Sequence, residues 1–116
     1  MHRCMMESNA MSNLFDYELP EEDSENFVTL LQNPNAVIKR IVSNTLKTPQ
    51  EFLDKTKDEW VVVLKGCAKL EINGIVHKLK AGDSLFIPAN TKHTLLKTKK
   101  VVVWLAVYIN NEEGCA

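Results

Sequence analysis

Asn73-Gly74 lies between two strand-like runs, Cys67–Ile72 and Ile75–Lys80. Both central residues of a type I′ hairpin turn need positive φ, and Asn-Gly is the pair that meets this need most readily. The two runs are therefore expected to fold back on each other. The same rhythm continues on both sides: Trp60–Lys65 leads to Gly66, Ile75–Lys80 to Gly82-Asp83, and Ser84–Ile87 to Pro88. Short strands separated by evenly spaced turns read as an all-β sandwich or barrel. A small antiparallel β-barrel is the expected fold.

A chain of 116 residues makes one domain with one core. Its formal charge is −1 and its pI about 6.3, so nothing in the overall balance predicts attraction to nucleic acid or to an anionic membrane. No apolar run approaches the roughly 18–20 residues that span a bilayer, and the N-terminus lacks a signal-peptide core. A cytoplasmic protein is expected. Cys4, Cys67 and Cys115 are odd in number and widely spaced, a poor disulfide framework. Cys67 is expected to fill space in the barrel as a small thiol.

Residues 1–12 show no periodicity and are set aside as a leader, with Met11 the expected start. Ser8-Asn9-Ala10 resembles the remnant of a cleaved tag, and an over-extended start gives the same reading. Residues 13–26 form an acidic arm with Asp16, Glu18, Glu21, Glu22, Asp23 and Glu25. The barrel is expected over residues 27–110, with a tail over 111–116. Within it, Phe27–Leu31 reads as a first strand and Asn33-Pro34-Asn35 as a turn. Thr48-Pro49-Gln50-Glu51 suits the start of one helical turn. Lys97, Lys99 and Lys100, with Thr98, look like a hairpin tip.

Trp60–Leu64 and Val101–Ile109 are apolar without alternation. A strand with one wet face should alternate, so both faces of these strands must be covered. A barrel of this size has one interior. The acidic arm, or a second copy of the chain, has to cover the outside, and a homodimer is the favoured reading.

The stretch from Glu59 to Leu95 is similar to the cupin motifs. Glu59 and Gly66 match the end of the first motif, Glu, six residues, Gly. Gly82, Pro88 and His93 stand at the spacings of the second, with Asn90 in place of its second Gly and Lys97 in place of its final Asn. Arg40-Ile41-Val42-Ser43 and the segment from Asp58 to Gly66 are most similar to small single-domain bacterial members of unsettled function. The resemblance implies a jelly-roll barrel around a small-molecule pocket, often with a metal, and places metal ligands at Glu59 and His93. The His-x-His pair that metal-binding members carry three or four residues before this Glu is absent. Asp54 stands at the spacing of the second lost His and is a candidate replacement oxygen ligand. Asp54, Glu59 and His93 would suit one divalent Fe, Mn, Zn or Ni ion.

Residues two apart on a strand share a face, so Glu59 pointing inward brings Val61 and Val63 with it. A carboxylate beside valines needs a partner, and Lys55 or Lys97 is a candidate if no metal is present. Val61, Val63, Phe86, Leu95 and Trp104 are the expected apolar pocket wall, with Glu59 and His93 as polar anchors. His77 shares a face with Ile75 and Leu79 and is a candidate wall residue. Two functions follow. The chain is a small-molecule-binding barrel with a degenerate metal site, or a metal-dependent dioxygenase, isomerase or decarboxylase of a small oxygenated substrate.

Overall fold

The computed structural model describes residues 11–111, so most of the expected leader and tail lies outside the described residues. Seven strands follow in order: β1 (Ser24–Gln32), β2 (Ala36–Asn44), β3 (Gln50–Phe52), β4 (Lys57–Ile72), β5 (Ile75–Lys80), β6 (Ser84–Ile87) and β7 (His93–Asn110). All pairings are antiparallel. The expected hairpin is present. Asn73 and Gly74 have φ of 50° and 81°, and Ile72 pairs with Ile75 across the turn.

β4 and β7 are the long members, and they pair from Lys57–Asn110 to Ile72–His93. β2 and β6 flank the first half of β4 with the second half of β7, whereas β3 and β5 flank the other halves. The two long strands thus pass from one face of the barrel to the other. The passage is made by bulges between Val63 and Cys67. Gly66 at φ 94° and Lys100 at φ 58° sit at this corner. A Cβ on Gly66 would run into the Val101 carbonyl oxygen, so the corner closes only on glycine. Gly66 is therefore a bulge inside one strand, where the sequence suggested a turn between two.

The bulge also changes parity. Glu59, Val61 and Val63 face inward, then Ala68 and Leu70 do so. These side chains pack with Ile41, Leu46, Leu79, Ile87, Leu95, Val102, Trp104 and Ala106 in one core.

Three local expectations are corrected. Residues 97–100 are no hairpin tip but the middle of β7. Thr98 is buried there, and its hydroxyl accepts the Leu46 amide at 2.8 Å. The segment after Pro49 forms β3 instead of a helical turn, because its amides find the start of β7. Cys67 is exposed instead of filling the barrel, since the bulge turns odd residues outward beyond Gly66.

The outer surface is covered in part by the segment before β1. Asn44 Nδ2 donates to the Pro20 carbonyl at 2.7 Å, and Arg40 lies 5.9 Å from the Tyr17 ring centre. The Asp23 carboxylate accepts the Lys47 and Thr48 amides at 2.8 and 3.0 Å. Val42 and Val103 point outward in register with each other, yet are 1% and 0% exposed. Farther along the same face the cover stops. Leu31, Ile38, Val107, Trp60 and Phe86 form one cross-strand row over β1, β2, β7, β4 and β6. Trp60 is 40% exposed and Phe86 58%.

Candidate functional site

Glu59 and His93 meet inside the barrel. In the β4–β7 ladder they stand near opposite ends, Glu59 paired with Tyr108 and His93 with Ile72, so the sheet curls to bring them together. His93 Nε2 lies 3.5 Å from Glu59 Oε1, and both side chains are buried. The loop that delivers His93 is fixed at several points. The Asp58 carboxylate accepts the Ala89 amide at 2.8 Å, and the Asn90 amide donates to the Asp54 carbonyl at 2.7 Å. Asn90 has φ 60°, a conformation that asparagine tolerates better than most residues. This explains how Asn90 can occupy a position where the motif has glycine.

The His93 ring stacks on Phe52 at 5.6 Å, 25° from parallel. Its Nδ1 lies 3.2 Å from the Thr91 carbonyl oxygen. A carbonyl only accepts, so Nδ1 carries a proton and neutral His93 presents the Nε2 lone pair to Glu59. Burial pushes Glu59 up to about 7; the Tyr108 hydroxyl, a hydrogen-bond donor to it, opposes the shift, Asp54 adds to it, and Lys39 opposes it. Burial also holds His93 below its ordinary range, partly offset by the Thr91 carbonyl. Tyr108 is pushed above the usual phenol range by burial and by Glu59. Burial, the largest cause for both Glu59 and His93, favours the neutral forms, with a carboxylic acid facing an imidazole nitrogen.

The pair sits in a cavity of about 470 Å³, within the range of small-molecule sites. Val61, Leu95 and Trp104 line it as expected, joined by Ile41, Phe52, Leu70 and Ile87. Trp104 Nε1 donates to Ser43 Oγ at 3.0 Å, which fixes the indole as wall. Three expected wall residues lie elsewhere. Val63 is fully buried in the core below the cavity. Phe86 pairs with Trp60 and so faces outward, while Ile87, opposite Glu59, takes the inner place. His77, although paired with the lining residue Leu70, is outside the cavity lining.

The polar lining adds Glu25, Lys39, Lys57 and Tyr108 to the predicted residues. Lys39 Nζ lies 5.3 Å over the Tyr108 ring. Neither Lys55 nor Lys97 reaches the cavity; Lys39 and Lys57 supply its positive charge. Tyr108 was legible from Trp104, since residues 104, 106 and 108 share a face.

Asp54 lines the cavity, but its Oδ1 accepts the Thr56 and Lys57 amides at 3.1 and 3.0 Å. Among the described residues, no three His, Cys, Asp or Glu side chains group closely enough to hold a metal ion. Two donors, Glu59 and His93, are too few for the sites that cupin-type metals occupy. The described residues do not by themselves fit a resident Fe, Mn, Zn or Ni ion.

The structure is thus an antiparallel barrel that encloses an acid–imidazole pair in a partly apolar cavity. Residues 41–108 match the family model described as the cupin domain. This match covers more than half of the chain, and the protein belongs to the cupin family, with an all-β jelly-roll fold. A Ralstonia eutropha protein provisionally described as a mannose-6-phosphate isomerase is 32% identical; the match covers 87% of this chain and 98% of that one, with a TM-score of 0.77. A conserved Streptococcus pyogenes protein of unknown function is 21% identical over 90% of each chain, with a TM-score of 0.69. The cupin domain of Schizosaccharomyces pombe Cnp3 shares the fold at 13% identity, covering 88% of this chain and 70% of that one, with a TM-score of 0.75. No curated protein matches the sequence.

Proposed function

We propose that this protein binds a small oxygenated organic molecule in the Glu59–His93 cavity. The observation that carries the reading is a buried carboxyl–imidazole pair left facing an open cavity when the barrel could have filled it with apolar side chains. Val61, Leu95 and Trp104 supply apolar contact. Glu59, His93 and Tyr108 fix the orientation of hydroxyl or carbonyl groups, and Lys39 and Lys57 favour a ligand with negative charge at the mouth. The test is thermal shift against sugars, organic acids and phenolics. A ligand at one hundred times its Kd stabilises by about 2.7 kcal/mol. The expected stabiliser loses its effect in Glu59→Gln. Absence of any stabiliser across the panel would overturn the reading.

A second reading, an enzyme, is supported by the same pair and by the isomerase description of the Ralstonia relative. One group with a pKa near neutrality and one free imidazole nitrogen can remove and return a proton. The metal-dependent form of this reading needs donors beyond Glu59 and His93. Elemental analysis of metal per chain, with Glu59→Ala and His93→Ala alongside, separates the two. Stoichiometric metal lost in both variants would favour the metallo-enzyme.

The uncovered row of Leu31, Ile38, Val107, Trp60 and Phe86 supports a homodimer as the working form. A second copy can place the same row against it in a two-fold, self-complementary contact.

A further inference from the structure

Seven lysines line a second cleft, of about 760 Å³, near the Gly66 corner: Lys47, Lys69, Lys78, Lys80, Lys97, Lys99 and Lys100. This is half of the 14 basic residues in the chain. Among the described residues Asp83 is the only acidic one lining it, so their net charge there is near +6 on a protein of net charge −1.

The strand register arranges these lysines as a grid. Lys69 on β4 pairs with Lys78 on β5 and with Lys97 on β7, making a row of three. Two residues back, Cys67 pairs with Lys80 and Lys99, making a second row on the same outer face. Between them Ala68, Leu79 and Thr98 point inward and are buried. Like charges directly opposite one another in a sheet repel and destabilise it. Little in the chain relieves this. Lys80 lies 3.6 Å from Asp83, but among the described residues none of the other six has a carboxylate within ion-pair distance. Lysines on an edge strand protect against sheet-to-sheet aggregation, which accounts for Lys78 and Lys80 on β5. It does not account for Lys69, which sits between two paired strands.

The composition of the cleft narrows the ligand. Among the described residues no aromatic side chain lines it to make a platform for stacking bases, and no arginine offers a bidentate fork. Lysines act as point charges and suit phosphate oxygens. The footprint is small, about 10 Å across three strands and about 7 Å along them. We propose that the grid is a second ligand site, which takes a compact polyanion bearing two or more phosphate groups.

The test is titration with inorganic tripolyphosphate at low salt, followed by calorimetry and by backbone amide shifts. The expected result is saturable binding at one per chain. Shifts should centre on residues 67–69, 78–80 and 97–100 and leave the Glu59 cavity unmoved. Lys69→Gln/Lys97→Gln should weaken binding at least tenfold, and Lys55→Gln should not. The double variant should also melt above the wild type at low salt without the anion, because the repulsion is relieved. Lys78→Gln/Lys99→Gln serves if the first variant folds poorly. Three outcomes would overturn the proposal: an effect matched by sodium chloride at equal ionic strength, which means screening only; shifts confined to the Glu59 cavity; or a short oligothymidylate that binds more tightly per charge than tripolyphosphate.

Discussion

His93 Nε2 faces Glu59 Oε1 at 3.5 Å, while the other His93 nitrogen is tied to the Thr91 carbonyl. Burial raises one partner and lowers the other, which favours the uncharged form of each. Glu59 is raised from 4.5 to about 7, so the folded state holds its proton more tightly than the unfolded state. Its contribution is fully present below pH 4.5 and is lost as pH rises through about 7. His93 acts in the opposite sense, and its contribution is lost as pH falls below its ordinary 6.5. Urea unfolding of wild type and Glu59→Gln should show the variant gaining on the wild type by about 2–3 kcal/mol between pH 5 and 8, then levelling. A difference independent of pH would show that Glu59 is ionised throughout.

The glycines at the corner and at the hairpin should respond differently to the same change. Gly66→Ala places a Cβ against the Val101 carbonyl oxygen as well as imposing φ 94° on alanine. It should destabilise by about 2–4 kcal/mol. Gly74 has φ 81° and open space around it, so Gly74→Ala should lose only about 1 kcal/mol. Equal losses in denaturant titrations would mean that the corner relaxes around the added methyl.

Thr98→Val removes the acceptor of the buried Leu46 amide while keeping the side-chain shape. An amide left without a partner in the interior costs about 1–3 kcal/mol. The expected signature is faster amide exchange at Leu46, together with that loss of stability. Unchanged exchange would show that another acceptor replaces the hydroxyl.

Sedimentation velocity tests the uncovered outer row. The wild type should run as a dimer, and Trp60→Glu/Phe86→Glu as a folded monomer, because a charge in a two-fold contact is met twice. A monomeric wild type would leave the exposed Trp60 and Phe86 without a role in self-association.

The sequence by itself determined the local structure. Asn73-Gly74 fixed a hairpin, because turn geometry is a property of adjacent residues. Period-two parity put Val61 with Glu59. The family motifs brought out Glu59 and His93, whose meeting in one cavity the structure displays. Tertiary structure decided what depends on register. A bulge at Gly66 reverses parity along β4, so Cys67 and Lys69 turn outward. Ile87, not Phe86, stands opposite Glu59. Residues 97–100 pair inside a long strand although their composition suits a loop. The lysine rows on three strands and the apolar row on five arise only when distant segments are aligned. Which residues lie across a sheet is set by pairing between remote parts of the chain, and no local spacing encodes that.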